Sequence, residues 1–155
     1  MSRPNVLQND AWDMEMERFQ LRGLMVGKHA GAQALGATVY ELDPGSTGFN
    51  LHAHYGMEEL FVVLGGRPTF RNGETEEELA PGDVVSCKPG LEGLHTFSNR
   101  TDQPARVLAV SNKVQPEVVL YPEIGKVGVA TRSPFEKPEG ADQGIVAMFD
   151  IPADG

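Results

Sequence analysis

Closely spaced turn residues divide the chain into short runs of strand-forming residues, and this spacing constrains its fold more than any other feature. The 155 residues include 18 glycines and 11 prolines, which suit many short strands joined by turns better than long helices. Strand-like runs at intervals of about 8–12 residues are typical of an all-β sandwich or barrel. The runs that predict strands are 37–42, 67–71, 74–79, 83–87, 95–99, 105–111 and 118–121.

The dipeptide Asn72-Gly73 lies between two of these runs and predicts a tight hairpin. We expect positive φ angles at both residues, as the commonest two-residue hairpin turn requires. The returning strand carries Glu74, Glu76, Glu77 and Glu78. A run of charges is typical of a solvated edge strand that is protected from pairing with other chains.

The charge balance excludes several classes of partner. The net charge is −9, so the chain has no surplus of cations with which to bind a phosphate backbone or an anionic membrane. Neither a signal peptide nor an apolar run long enough to span a bilayer is expected. With Cys87 as the single cysteine, an internal disulfide is impossible. We therefore predict a cytoplasmic protein without nucleic-acid or membrane partners.

The stretch from Gly48 to Gly66 has the composition of a metal site. His52 and His54 are two positions apart, so in a strand both imidazoles point to one face. Glu58 and Glu59 follow, and either could be the third ligand. Strand parity favours Glu59, because it shares a face with two apolar residues that belong in the core and a lone buried carboxylate needs a cation.

A third histidine comes from a later strand. His95 shares its predicted inward face with Phe97 and Asn99. We therefore predict one metal site built from two separate stretches of a small β-barrel.

These residues occur in an order that resembles the two motifs of the cupin superfamily. The first motif, a glycine followed by HxH, a glutamate and a second glycine, is matched by Gly45, His52, His54, Glu59 and Gly66. The second motif is matched by Gly82, Pro89, His95 and Asn99. The chain departs from the second motif in one place, because the loop between Pro89 and His95 is about two residues longer. With this loop, the chain is similar to a branch of small bacterial cupins.

The resemblance implies a double-stranded β-helix, the cupin or jelly-roll barrel, in a single domain. Residues 37–112 would form the barrel, 1–36 an N-terminal arm with a glycine-rich segment packed on it, and 113–155 a C-terminal extension. The resemblance also implies one divalent transition metal, for which Zn, Fe, Mn, Ni, Co and Cu all stay open. Its ligands would be His52, His54, Glu59 and His95.

Two classes of function follow from such a site. The first is a metal-dependent enzyme that acts on a small chelating substrate, oxygenated or sugar-like, as an isomerase, dioxygenase or lyase. The second is a non-catalytic module that binds or senses a small ligand. Glu58 and Tyr55 are the candidates for proton transfer. Candidates for the pocket wall are Tyr40, Phe61, Arg67, Lys88, Phe97 and Arg106.

Three further expectations concern residues outside the site. Cys87 is expected to be a small core residue, and His29 a solvated histidine. If Leu60, Val62 and Leu64 face away from the barrel interior, another layer or a second subunit must cover them, so we expect a homodimer. An anionic substrate such as a phosphosugar would require Arg67, Lys88 or Arg106 to point into the barrel.

Overall fold

The structure, a computed structural model, describes residues 3–8, 11–135 and 144–152. This part contains thirteen strands, β1–β13, and one short helix, α1. In chain order they are β1 Met14–Met16, β2 Leu21–Leu24, α1 Val26–His29, β3 Leu35–Leu42, β4 Ala53–His54, β5 Glu59–Gly65, β6 Thr69–Asn72, β7 Thr75–Glu78, β8 Val84–Cys87, β9 Thr96–Ser98, β10 Ala105–Asn112, β11 Glu117–Tyr121, β12 Lys126–Ala130 and β13 Val146–Asp150. Single 3-10 turns cover Glu17–Phe19, Leu91–Gly93 and Pro122–Ile124.

The strands form three antiparallel sheets. The largest has the order β1-β2-β3-β10-β5-β8, and the others are β13-β12-β11-β4 and β7-β6-β9. A backbone bridge between His52 and His95 joins the edges of the two smaller sheets. None of the helices in the described ranges is long and apolar enough to cross a membrane. The prediction of an all-β fold is confirmed.

The main core lies between the largest sheet and the three-stranded sheet. It contains inward-facing residues of both: Leu42, Phe61, Val63, Phe70, Leu79, Cys87, Phe97, Val107 and Ala109. Alternate residues of β5 and β10 enter this core because side chains in a strand point to opposite faces in turn. The predicted core position of Cys87 is confirmed, since only 4% of the residue is exposed.

A second apolar cluster covers part of the outer face of the largest sheet. Leu64 and Leu108 pack there against the buried residues Leu24, Val26 and Val39. The N-terminal segment is therefore the layer that covers Leu64. Leu60, by contrast, is 42% exposed, so this cover is incomplete.

The glycine-rich segment 23–36 is more than the surface loop that its composition predicts. It includes the end of β2, helix α1 and the start of β3. Gly27 lies so close to β3 that a Cβ atom there would be 2.8 Å from the backbone nitrogen of Ala37. The glycines thus allow close packing on the barrel. The boundaries proposed at residues 36 and 112 stay predictions.

The hairpin at Asn72-Gly73 is confirmed, but its turn type differs from the expectation. Asn72 pairs with Thr75, so the two central residues are Gly73 and Glu74. Gly73 has a φ of 59°, whereas Asn72 and Glu74 do not have positive φ. A glycine at the first central position is the pattern of a type II′ turn. The acidic strand β7 is an exposed edge strand, as predicted.

Phe70 provides a test of the main core. Its ring packs 5.1 Å from that of Phe97, so Phe70→Ala should lower the free energy of unfolding by about 3–5 kcal/mol through lost contacts and a cavity. Phe149→Ala, at a position that is 54% exposed, is the matched control and should change it by about 0.5 kcal/mol or less. Urea denaturation measures both values. Equal effects of the two variants would contradict this core.

Candidate metal centre

Two backbone hydrogen bonds between His52 and His95 place their imidazoles side by side. The amide of His95 donates to the carbonyl oxygen of His52 at 2.8 Å, and the amide of His52 donates to the carbonyl oxygen of His95 at 3.1 Å. Directly opposite residues in such a pair point their side chains to the same face. The two ring centroids are accordingly 4.5 Å apart. His54 follows on the same face, with its ring centroid 5.0 Å from that of His52.

The first residue of β5, Glu59, brings a carboxylate to these rings. Its Oε2 atom lies 3.3 Å from Nε2 of His54 and 3.1 Å from Nε2 of His95. One ligand atom from each of His52, His54 and Glu59 lies within 4.8 Å of the others. Glu58 points the other way and is exposed, 3.4 Å from the hydroxyl of Ser86. The parity argument that favoured Glu59 over Glu58 agrees with this geometry.

The hydrogen bonds of the imidazoles determine which ring nitrogens are available. Nδ1 of His52 is 2.8 Å from the carbonyl oxygen of Asn50, and Nδ1 of His95 is 2.8 Å from that of Gly93. A carbonyl oxygen can only accept, so in both rings Nδ1 carries the proton. In the neutral rings Nε2 is then a bare lone pair directed into the cluster.

With neutral rings, the cluster brings acceptors together without a donor between them. The bare Nε2 of His95 faces Oε2 of Glu59 at 3.1 Å, and this buried oxygen has no hydrogen-bond partner among the described residues. The side chains of His95 and Glu59 are only 3% and 14% exposed, so water screens their repulsion poorly. A divalent cation would accept these lone pairs, so the donor set fits a metal ion.

Burial and neighbouring groups shift two pKa values in the cluster. Burial, with the nearby His95 and His54, lowers the pKa of His52 to about 3. This imidazole is consequently neutral at neutral pH, as a metal ligand must be. Burial alone would raise the pKa of Glu59, but the contact with His95 and the neighbouring His54 and His52 lower it below its ordinary value. Glu59 is therefore a carboxylate rather than an acid.

The long loop before His95 forms the support for that histidine. Residues Leu91–Gly93 make a 3-10 turn, and the amide of Gly90 donates to the carbonyl oxygen of His54 at 2.7 Å. A Cβ atom on Gly93 would lie 1.8 Å from the carbonyl oxygen of Lys88, so only glycine fits. The longer loop thus connects the backbone of His54 with the segment that leads into His95.

Three functional candidates were not found from the sequence. Glu117, at the start of β11, is 5% exposed and lies 3.6 Å from Nδ1 of His54. Tyr121 stacks on His52, with ring centroids 5.8 Å apart and planes 27° from parallel, and Phe49 meets the same ring at 6.5 Å. Glu117 and Tyr121 lie after residue 112, and Phe49 precedes the histidines, so none occupies a defining position of the two cupin motifs.

The predicted pocket residues fall into two groups. Phe61 and Phe97 lie in the core beside the cluster, with the ring of Phe61 5.1 Å from that of His95. Tyr40 is half-buried and meets Phe49 edge-to-face at 5.2 Å. Phe61 thus packs directly against a histidine of the cluster, whereas Phe97 packs on Phe61 and Tyr40 packs on Phe49.

The predicted cationic residues lie elsewhere. Arg67 is exposed and pairs with Glu78, and Lys88 is exposed. Arg106 points outward from β10 and pairs with Glu41. Tyr55 is 48% exposed, and His29, as predicted, is an exposed histidine on the surface.

Comparison with known proteins agrees with this fold. Residues 38–111 match the family model for the cupin domain. No curated protein sequence matches the chain. The fold is the double-stranded β-helix, and residues 38–111 form a cupin domain. Cupins commonly bind a metal ion and small-molecule substrates.

Three solved structures illustrate the likeness, and at under 25% identity each of them shows the fold alone. A cupin-superfamily sugar phosphate isomerase from Silicibacter pomeroyi is 24% identical, with a TM-score of 0.72 over 87% of this chain and 82% of its own. A candidate sugar phosphate isomerase from Acidithiobacillus ferrooxidans is 23% identical, with 0.69 over 84% and 76%. The polyketide cyclase RemF from Streptomyces resistomycificus is 22% identical, with 0.55 over 63% and 69%.

The thiol beside the cluster offers a test of this environment. Burial, together with the charge of Glu59, raises the pKa of Cys87 to about 12. At pH 8 the native protein should react with iodoacetamide more slowly than the urea-unfolded chain, by a factor on the order of 100 or more. Any iodoacetamide label on a thiol must be at Cys87, because it is the only cysteine. Comparable rates in the two states would mean that the thiol is accessible.

Proposed function

We propose that the chain binds one divalent transition metal through His52, His54, Glu59 and His95. We further propose that it is a metal-dependent enzyme acting on a small oxygenated substrate that chelates the metal. The observation that carries this proposal is the pair of facing acceptors, Nε2 of His95 and Oε2 of Glu59, buried at 3.1 Å. Such an arrangement is costly without a cation.

The donor set is suited to catalysis as well as to binding. Three neutral imidazoles and one carboxylate leave one or two positions free on a five- or six-coordinate ion. A bound metal would supply Lewis acidity or a site for dioxygen, and Zn, Fe, Mn, Ni, Co and Cu all suit these ligands. The chain's own part is to hold the ligands in one orientation through Asn50 and Gly93 and to line the site with Tyr121 and Phe49.

The charges around the cluster favour a substrate without a phosphate group. Arg67 and Lys88 are exposed and Arg106 points outward from β10, and the side chains nearest to the Glu59 carboxylate are those of histidines. A phosphate needs cationic or amide donors. Aromatic rings beside His52 instead suit a planar, uncharged or monoanionic molecule with adjacent oxygen atoms. We therefore propose a substrate other than a sugar phosphate.

The reaction could be an isomerisation, a dioxygenation or a lyase reaction. One observation favours the alternative of a non-catalytic binding or sensor module: the candidate bases Glu58 and Tyr55 are both exposed. The remaining base would then be a metal-bound hydroxide. These cases are distinguished by supplying metal-loaded protein with hydroxy-oxo compounds and measuring oxygen uptake with an oxygen electrode. Oxygen uptake identifies a dioxygenase, substrate loss without uptake an isomerase or lyase, and binding without turnover a sensor.

Elemental analysis tests the metal site itself. Protein purified without added metal should hold about one transition-metal ion per chain, and His52→Ala and His95→Ala should lose most of it because each removes one of four ligands. His29→Ala is the matched control, since it removes the one exposed histidine outside the cluster.

Either of two results would contradict the metal site. One is wild-type protein that contains no metal and takes up none in dialysis against Zn²⁺. The other is metal retained in full by the His52→Ala and His95→Ala variants.

We also propose a homodimer. Leu35, Leu60 and Val84 are 53%, 42% and 56% exposed on the outer face of the largest sheet. Leu35 and Leu60 border a cavity of about 240 Å³. Apolar surface of this kind is typical of an interface.

Light scattering tests this assembly. The wild-type mass should be about twice the 16.8 kDa of one chain, and Leu60→Asp should shift the protein toward monomer. Leu91→Asp, at a residue that is 59% exposed in the loop before His95, should leave the dimer intact. A monomeric wild-type protein would contradict the proposal.

A further inference from the structure

We propose that Glu117 is a positioning residue for the metal ligand His54, and that strand β11 thereby controls the affinity of the site. The inference rests on the proposed function. It assigns a role to a residue of the C-terminal segment, outside the 38–111 range that matches the cupin domain. The metal site would then depend on this segment as well as on the barrel.

One oxygen of Glu117 contacts both the backbone and the ring next to it. Its Oε1 atom accepts hydrogen bonds from the amides of Tyr55 and Gly56 at 3.0 and 3.1 Å, and lies 3.6 Å from Nδ1 of His54. Strand β11 pairs with β4, and Val119 lies opposite His54. The carboxylate therefore anchors the turn that begins directly after His54.

The support of His54 differs from that of the other two histidines. His52 and His95 each rest on a carbonyl oxygen two residues earlier in the chain, so local backbone sets their orientation. Among the described residues, Glu117 provides the carboxylate nearest to Nδ1 of His54, and it is 63 positions away. The orientation of this one ligand thus depends on tertiary structure.

The contact is close to forming but is not a hydrogen bond in this structure. Nδ1 of His54 and Oε2 of Glu117 are both buried without a partner among the described residues. A shift of about 0.5 Å would bring Nδ1 within hydrogen-bond distance of Oε1. We infer that the bond closes when Nε2 of His54 binds the metal. A carboxylate in this place fixes the tautomer and raises the basicity of the imidazole.

Gly56 leaves the space that the carboxylate occupies. A Cβ atom at this position would lie 2.8 Å from Oε2 of Glu117. Gly56→Ala should therefore displace the carboxylate without removing its charge. This gives a second variant that acts on the same contact.

The test measures the affinity for Zn²⁺ by competition with a chelator. Glu117→Gln keeps a carbonyl acceptor but removes the negative charge, and it should bind Zn²⁺ on the order of 10-fold more weakly than wild type, because a neutral amide raises the basicity of the imidazole less than a carboxylate does. Gly56→Ala should weaken binding in the same direction. Glu123→Gln removes an exposed glutamate six positions later, which pairs with Arg71, and this control should leave the affinity within about twofold of wild type.

A second measurement separates positioning from general stability. In nitrogen-15 spectra of the Zn²⁺-loaded protein, Glu117→Gln should shift the ring signals of His54 and leave those of His52 and His95 in place. A merely structural role would shift either all three rings or none.

The outcomes are distinct. Wild-type protein that binds no Zn²⁺ overturns the proposed function and this inference with it. If the wild-type protein binds Zn²⁺, a Glu117→Gln affinity within about twofold of wild type overturns the inference alone. Unchanged His54 signals do the same. Should Glu117→Gln fail to fold, Gly56→Ala decides in the same way, with weaker Zn²⁺ binding in support and an unchanged affinity against.

Discussion

The paired backbone hydrogen bonds between His52 and His95 are the interaction on which the site depends. They join residues that are 43 positions apart and connect the edges of the two smaller sheets. Because directly opposite residues point to one face, this single pair sets two imidazoles next to each other. The nearby Gly48 is part of the same construction. Its φ is 68°, and a Cβ atom there would lie 1.5 Å from the carbonyl oxygen of Phe97.

The cluster holds its side chains rigidly and places electron-rich atoms close together, which costs electrostatic free energy in the absence of a cation. Backbone carbonyl oxygens two residues earlier accept from Nδ1 of His52 and His95, so Nε2 of each neutral ring carries no proton. Glu59 brings a carboxylate to the same point. The core behind them is aromatic, since Phe61 packs against both His95 and Phe97. A tightly packed wall cannot relax to relieve the repulsion between acceptors. The same packing that stabilises the barrel therefore keeps the cluster prepared for a cation.

Much of this arrangement could be predicted from the sequence, because it follows from the two-residue period of strands. The period explains why His52 and His54 share a face and why Glu59 rather than Glu58 joins them. The preference of the Asn-Gly dipeptide for tight turns located the hairpin at Gly73. It could not give the turn type, because the register of β6 and β7 moved the turn by one residue. The composition of the glycine-rich segment predicts only a surface loop, because its close approach to β3 is a tertiary contact.

The sequence by itself determined the all-β class, the ligand types and their shared faces, since these depend on residue chemistry and on local periodicity. Only the tertiary structure decided which groups surround those ligands. Glu117 reaches His54, and Tyr121 stacks on His52, because β11 pairs with β4. The outward position of Arg106 likewise depends on how β10 lies in its sheet. The sequence of one strand does not show which distant strand it pairs with, because its backbone has the same regular geometry beside any neighbour.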